Sequence, residues 1–343
     1  MNEMTEVIEE VTKDTNTKPD ARESISRLGL LFLLGTLIIY AVQYGVTAIV
    51  ERVKPEWLEH PTISLVVAMM PMYMIGMPAL IAIVRRMPAV VVEKHRMKWW
   101  QYVLSFIMCY SVMYGSNLMG TLITMVISVL KGSPVENQIL DIATSANMGV
   151  TFLYMVICAP IFEEYIFRKL IVDRTVRFGQ GVAIVLSGVM FGLFHGNLSQ
   201  FIYATTLGMF LAFLYVKTGN LKITISLHMI INFMGGIVSV LLLRAIKYDE
   251  LLILTETATE EQLMNFVMEN ALGYMAYGLY AMFLFVMVIT GLVLFIVFRK
   301  KFRLVPGEIS IPKKKRFQTV FLNLGMVVYC VFWIVMIIIQ LLK

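Results

Sequence analysis

The chain has 343 residues, of which 59% are hydrophobic and only 15% charged, with a net charge of +6 and a mean hydropathy of +0.78. The charged fraction falls well below the quarter typical of soluble domains, and apolar runs of spanning length recur, so a polytopic α-helical membrane protein is expected. An outer-membrane barrel is excluded for want of short alternating strands, and nucleic-acid binding for want of a basic, aromatic-interleaved patch.

In chain order, residues 1–27 are polar and mixed in charge, with no apolar h-region. No cleavable signal peptide is expected, and the first span serves as an uncleaved anchor. Nine apolar segments follow, at roughly 28–50, 61–84, 99–130, 147–170, 181–195, 200–216, 221–243, 273–298 and 319–342. They predict an all-α transmembrane bundle of about 8–9 spans. No internal repeat is visible. The predicted organisation is a cytoplasmic segment 1–27, N-terminal spans 28–146, a core 147–243, an extracytoplasmic loop 244–272 and C-terminal spans 273–343.

Lys and Arg fix the expected orientation. With the N-terminus inside, 23 of the 29 basic residues fall in inside segments (the N-terminus, 85–98, 168–177, 217–222 and 299–316) and 6 outside. The positive-inside rule therefore favours a cytoplasmic N-terminus in the cell membrane, with "KKKRF" at 313–317 facing anionic lipid. In the outer loop, Thr259 and Gln262 form a capping-box pattern, and Leu263, Phe266 and Val267 suggest a short helix at the interface. Cys109, Cys158 and Cys330 lie in apolar runs and imply no disulfide framework.

His60 and His95 lie in polar connecting segments. The chemistry-bearing groups are instead in "PIFEEYIFRKL" (Glu163, Glu164, Arg168), "FGLFHGN" (His195) and "SLHMIIN" (His228, Asn232). A central charge in a membrane costs at least ~2.5–3.5 kcal/mol, so such groups mark a site or a buried partner. If the fourth and fifth segments form a hairpin with its tip near Gly179, Glu163 and His195 lie at equal sequence distance from it and hence at equal depth. His228 is a short way into the seventh segment, so all three groups can meet in the cytoplasmic half.

Local spacing suggests roles. Glu164 and Arg168 are i,i+4 with Glu first, the favourable order for a helical ion pair. Glu163 faces about 100° away and is left to accept a proton from water. Pro160 removes a backbone donor and opens room beside it. His228 and Asn232 are i,i+4 on one face and can donate to an oxyanion. Phe191, one turn before His195, can wall a cavity.

The ordered set "EEYIFR", "FGLFH" and "HMIIN" resembles the EExxxR, FxxxH and HxxxN motifs of the CPBP intramembrane protease family. That family includes type II CAAX prenyl endopeptidases and bacterial bacteriocin-processing or immunity proteins. The resemblance covers roughly 147–243, and Lys169 stands where many relatives carry Gly. It implies a catalytic cavity open to the cytoplasm, in which Glu163 and His195 activate water and His228 and Asn232 stabilise the tetrahedral intermediate. Glu164 and Arg168 would give structural support.

No HExxH helix, G-x-S-x-G elbow or membrane GxGD pair occurs. Glu163, His195 and His228 also make up a His₂Glu zinc inventory, although the same residues can run a metal-free hydrolysis, which the reading favours. The expected function is endoproteolysis of a membrane-associated peptide or protein at the lipid bilayer. The alternatives are a non-enzymatic immunity or peptide-binding protein using the same cavity, and a proton-coupled transporter, whose paired broken helices are not seen.

Overall fold

A computed structural model describes residues 20–133 and 145–342 of the chain. Residues 1–19, most of the polar N-terminal segment, lie outside the described residues. Among the described residues every regular element is helical, and the protein is a multi-pass membrane protein. The helices are α1 (Ala21–Val53), α2 (Pro61–Val84), α3 (Trp99–Lys131), α4 (Met148–Phe178), α5 (Gln180–Phe194), α6 (Leu198–Thr218), α7 (Leu221–Ala245), α8 (Tyr248–Thr257), α9 (Glu260–Glu269), α10 (Ala271–Lys301), α11 (Arg316–Phe321) and α12 (Leu324–Leu342).

Eight of these are long and apolar enough to cross a membrane. The segment 181–195, counted as a span from its composition, is α5, a helix of 15 residues. Its length of about 22 Å falls short of the ~30 Å hydrocarbon core. It is one arm of a hairpin: α5 runs inward, turns at Gly196 and returns as α6. Gly196 adopts φ 66°, a left-handed conformation that costs glycine nothing. The side chain of Trp333, midway along α12, lies against this turn, and the Tyr329 hydroxyl donates to the Met190 carbonyl (3.0 Å). The tip therefore packs beside the middle of the last helix, and the outer ends of α5 and α6 lie at the same end of the bundle.

Close packing holds the two arms together. A Cβ on Gly192 would overlap the Thr205 hydroxyl and sit 2.7 Å from the Phe201 carbonyl, so only a glycine allows this approach. Gly192→Ala is expected to destabilise the protein by about 1–3 kcal/mol, read as a lowered melting temperature in detergent.

Connecting segments grouped on one side from their basic residues meet at one end of the bundle. The amide of Val90 donates to the Asp173 carbonyl (2.6 Å), His95 to Thr218 (2.8 Å), Gln180 to Val305 (3.2 Å) and Ile309 to Arg177 (3.0 Å). Lys217 Nζ donates to the Arg303 carbonyl (2.6 Å). At the opposite end the Asn147 amide donates to the Thr62 hydroxyl (2.9 Å). The N-terminal helix packs on the last one, with the Gly325 amide donating to Ser26 Oγ (2.9 Å).

The loop expected to hold one short helix holds two, α8 and α9. The Thr259/Gln262 capping box closes at the start of α9: the Thr259 hydroxyl accepts from the Gln262 amide, and Gln262 Oε1 from the Thr259 amide.

Proline shapes the site helix. Within α4, Pro160 lies between two π-helical stretches, Phe152–Cys158 and Glu164–Val172. A third, Phe233–Val238, follows Asn232 in α7. A missing N–H and a clashing ring disrupt the i→i−4 ladder, and π-turns concentrate at functional sites.

Candidate active site

The motif residues of α4, the α5 tip and α7 come together around one buried carboxylate. Glu164 Oε1 lies 3.0 Å from Arg168 Nη2 and 2.9 Å from His228 Nδ1. Glu164 and Arg168 are fully buried, and His228 nearly so. The i,i+4 ion pair read from spacing is therefore present, and it has a third member that spacing does not reveal. Arg168 also sets its guanidinium over the Phe191 ring, 4.5 Å from the centroid. This cation–π contact faces a group whose Nε and Nη1 have no hydrogen-bond partner among the described residues.

Glu163 takes the other orientation. Its side chain keeps 15% exposure while that of Glu164 keeps none, so the outward carboxylate is the one a water can reach. Glu163 Oε2 stands 3.7 Å from His228 Nε2. That is beyond hydrogen-bond length but within ion-pair range. His228 thus presents one nitrogen to each of the adjacent glutamates, with Nδ1–H donated to Glu164.

His195 stands at the end of α5, where its Nδ1 lies 2.8 Å from the Phe191 carbonyl. A carbonyl only accepts, so Nδ1 carries the proton and Nε2 keeps its lone pair free. Phe191 meets both histidines edge to face, at 4.8 Å from His195 and 5.9 Å from His228, and also packs on Phe167 at 5.1 Å. The residue expected to wall the site thus lies at its centre. Among the described residues no hydrogen bond or ion pair joins Glu163 to His195. Asn232 shares a face with His228 and donates one amide hydrogen to the Met155 carbonyl (2.9 Å), leaving the second for another acceptor.

Two histidines and a glutamate are a sound zinc inventory, and the imidazole Nδ1 atoms are held as second-shell partners would hold them. The placement does not fit: among the described residues no three His, Cys, Asp or Glu side chains form a metal-binding group. Cavities of about 270 Å³ and 160 Å³ lie at the basic end, lined by segments 90–95, 176–182 and 304–311. Neither is lined by the motif residues, so neither is the catalytic cavity expected there. His60 is exposed, and His95 is 58% exposed beside Glu93.

Spacing also missed Asn197, Gln200 and Tyr203, which begin α6 at the hairpin tip. Asn197 Nδ2 donates to the His195 carbonyl (3.0 Å) and to Gln200 Oε1 (2.7 Å), and Gln200 Nε2 donates to the Tyr203 hydroxyl (2.8 Å). The available signal was an Asn directly after "HG", a helix N-cap type.

Comparison with known proteins agrees with the motifs. A family model described as "Type II CAAX prenyl endopeptidase Rce1-like" matches residues 145–234. The Bacillus subtilis (strain 168) protein named "Putative membrane peptidase YdiL" is 28% identical over 124 residues, which cover 35% of this chain and 49% of that protein. The match thus takes in about half of that relative. No solved structure matches the chain. The span that matches, 145–234, is the span that carries Glu163, Glu164, Arg168, His195, His228 and Asn232, and over it the chain is similar to the type II CAAX prenyl endopeptidases.

Proposed function

We propose that the protein is an intramembrane endopeptidase that hydrolyses a peptide bond in a membrane-associated peptide or protein. In this reading Glu163 accepts the proton of the attacking water, and the free Nε2 of His195 orients that water or takes the second proton. Asn232 and, in its doubly protonated form with Nδ1–H still on Glu164, His228 through Nε2–H donate to the oxyanion formed as water adds. Glu164 and Arg168 hold His228 in place, and no metal takes part. The N-terminus and the basic end of the bundle face the cytoplasm, by the positive-inside rule. The observation that carries the reading is a water-accessible carboxylate beside His228, with His195 oriented on the other side of the shared Phe191 ring, inside a membrane-spanning bundle.

The reading is tested by comparing the membrane peptidome of cells making the wild-type protein with that of cells making Glu163→Ala at equal abundance. A precursor that accumulates only with the variant supports it. Identical peptidomes, with a protein-dependent phenotype retained, favour a non-enzymatic peptide-binding protein. The metal-free step has its own test. Cleavage of the accumulated precursor is expected to be unchanged by 1,10-phenanthroline, whereas loss of cleavage restored by added zinc would contradict it.

A further inference from the structure

Residues 299–316 connect α10 to α11 at the basic end, and their charge is one-sided. Arg299, Lys300, Lys301 and Arg303 form one basic block, and Lys313, Lys314, Lys315 and Arg316 form a second. Glu308, between the blocks, is the single acid of the connection. All eight cations are exposed, and among the described residues none of them forms an ion pair. Like charges this close repel one another, and the repulsion works against a compact arrangement. The connection leaves one membrane-crossing helix, α10, and leads through α11 into another, α12, so it runs at the bilayer surface.

Between the blocks the chain is tied to the hairpin that carries His195. Gln180, the first residue of α5, exchanges two hydrogen bonds with Val305: its amide donates to the Val305 carbonyl (3.2 Å), and its Oε1 accepts from the Val305 amide (3.0 Å). Lys217, next to last in α6, donates to the Arg303 carbonyl (2.6 Å) and to the same Oε1 (2.9 Å). The Ile309 amide donates to the Arg177 carbonyl (3.0 Å), and Gly307 lies so close that a Cβ would overlap that carbonyl. Residues 303–309 therefore form a strap across the base of both arms. Its seat is otherwise loose. Val305, Pro306 and Gly307 line both the 270 Å³ and the 160 Å³ cavities, and Leu304 and Val305 are exposed. A segment held by hydrogen bonds with few buried contacts opens locally at small cost.

We propose that the two basic blocks bind the headgroups of anionic phospholipids, and that this occupancy keeps the strap seated on the hairpin base. A phosphate diester lies at the depth where the connection runs, and Lys and Arg take its oxygens in charge-assisted hydrogen bonds. Anions gathered at both blocks cancel the repulsion that otherwise lifts the strap. Because α5 is one helix from Gln180 to the turn at His195, a seated strap also fixes the position of the tip. This coupling holds whatever chemistry His195 performs.

The test follows hydrogen exchange in purified full-length protein, in vesicles of phosphatidylcholine alone or with about 30% phosphatidylglycerol. Phosphatidylglycerol is expected to slow exchange of the Gln180, Val305 and Ile309 amides about tenfold. The slowing should fade at about 1 M salt, where charges are screened beyond about 3 Å. Lys313→Gln, Lys314→Gln and Lys315→Gln together are expected to remove most of it. Lys94→Gln with Arg96→Gln, exposed cations of another connection at the same end, should leave it intact. Equal exchange of the wild-type protein in the two vesicles overturns the proposal, and that arm needs no variant. So does an equal loss in both variant sets, the mark of unspecific surface charge. The same slowing from inorganic phosphate added to phosphatidylcholine vesicles also overturns it, because the site would then take a free anion rather than a lipid.

Discussion

Arg168→Ala is expected to lower stability by about 3–5 kcal/mol, because it strands the Glu164 carboxylate in a fully buried position. The ion pair is not a large net asset. Removing both charges from water costs several kcal/mol per ion, and their mutual attraction roughly repays that. What makes the single change severe is the asymmetry: one charge stays behind with its counter-charge gone. Arg168 also loses its contact with the Phe191 face, worth on the order of 1–2 kcal/mol in a desolvated site. The double change Arg168→Met with Glu164→Leu is therefore expected to be less destabilising than either single change. Reversible unfolding in mixed micelles reads both effects. Additive losses in the double variant would show that the pair is not coupled.

His195→Gln is expected to cut hydrolysis by about 10²–10⁴-fold while leaving the fold intact. The imidazole is partly exposed and hydrogen-bonds the Phe191 carbonyl, a bond the glutamine amide can still make. What glutamine lacks is the free lone pair on a basic nitrogen. Glu163→Gln is expected to cost a similar factor. Because both act on the same water, the double variant should be little worse than the worse single one. Additive losses would place the two residues in separate steps.

Much of this was legible in the sequence because the relevant rules are local. Hydropathy places the spans, and the Lys/Arg count groups the segments that the backbone hydrogen bonds of Val90, His95, Gln180 and Ile309 gather at one end. The i,i+4 spacing of Glu164 and Arg168 gives their pairing. The shortness of α5 was not legible. Segment 181–195 is as apolar as its neighbours, and the contact of Gly196 with Trp333 shows where the hairpin turns. Nor does any spacing rule reveal that His228 binds Glu164 with one nitrogen and faces Glu163 with the other, since 64 residues separate His228 from Glu164. The Asn197–Gln200–Tyr203 chain escaped because polar residues at a helix start usually only cap it. Here the cap also holds the carbonyl of His195.

The most direct measurement is a time course of the accumulated precursor with purified wild-type protein and Glu163→Gln, side by side in liposomes at equal melting temperature. The account predicts that the wild type cuts the precursor at a defined peptide bond and that Glu163→Gln leaves it intact. A precursor untouched by the wild type, or cut at the same rate by both, would contradict it.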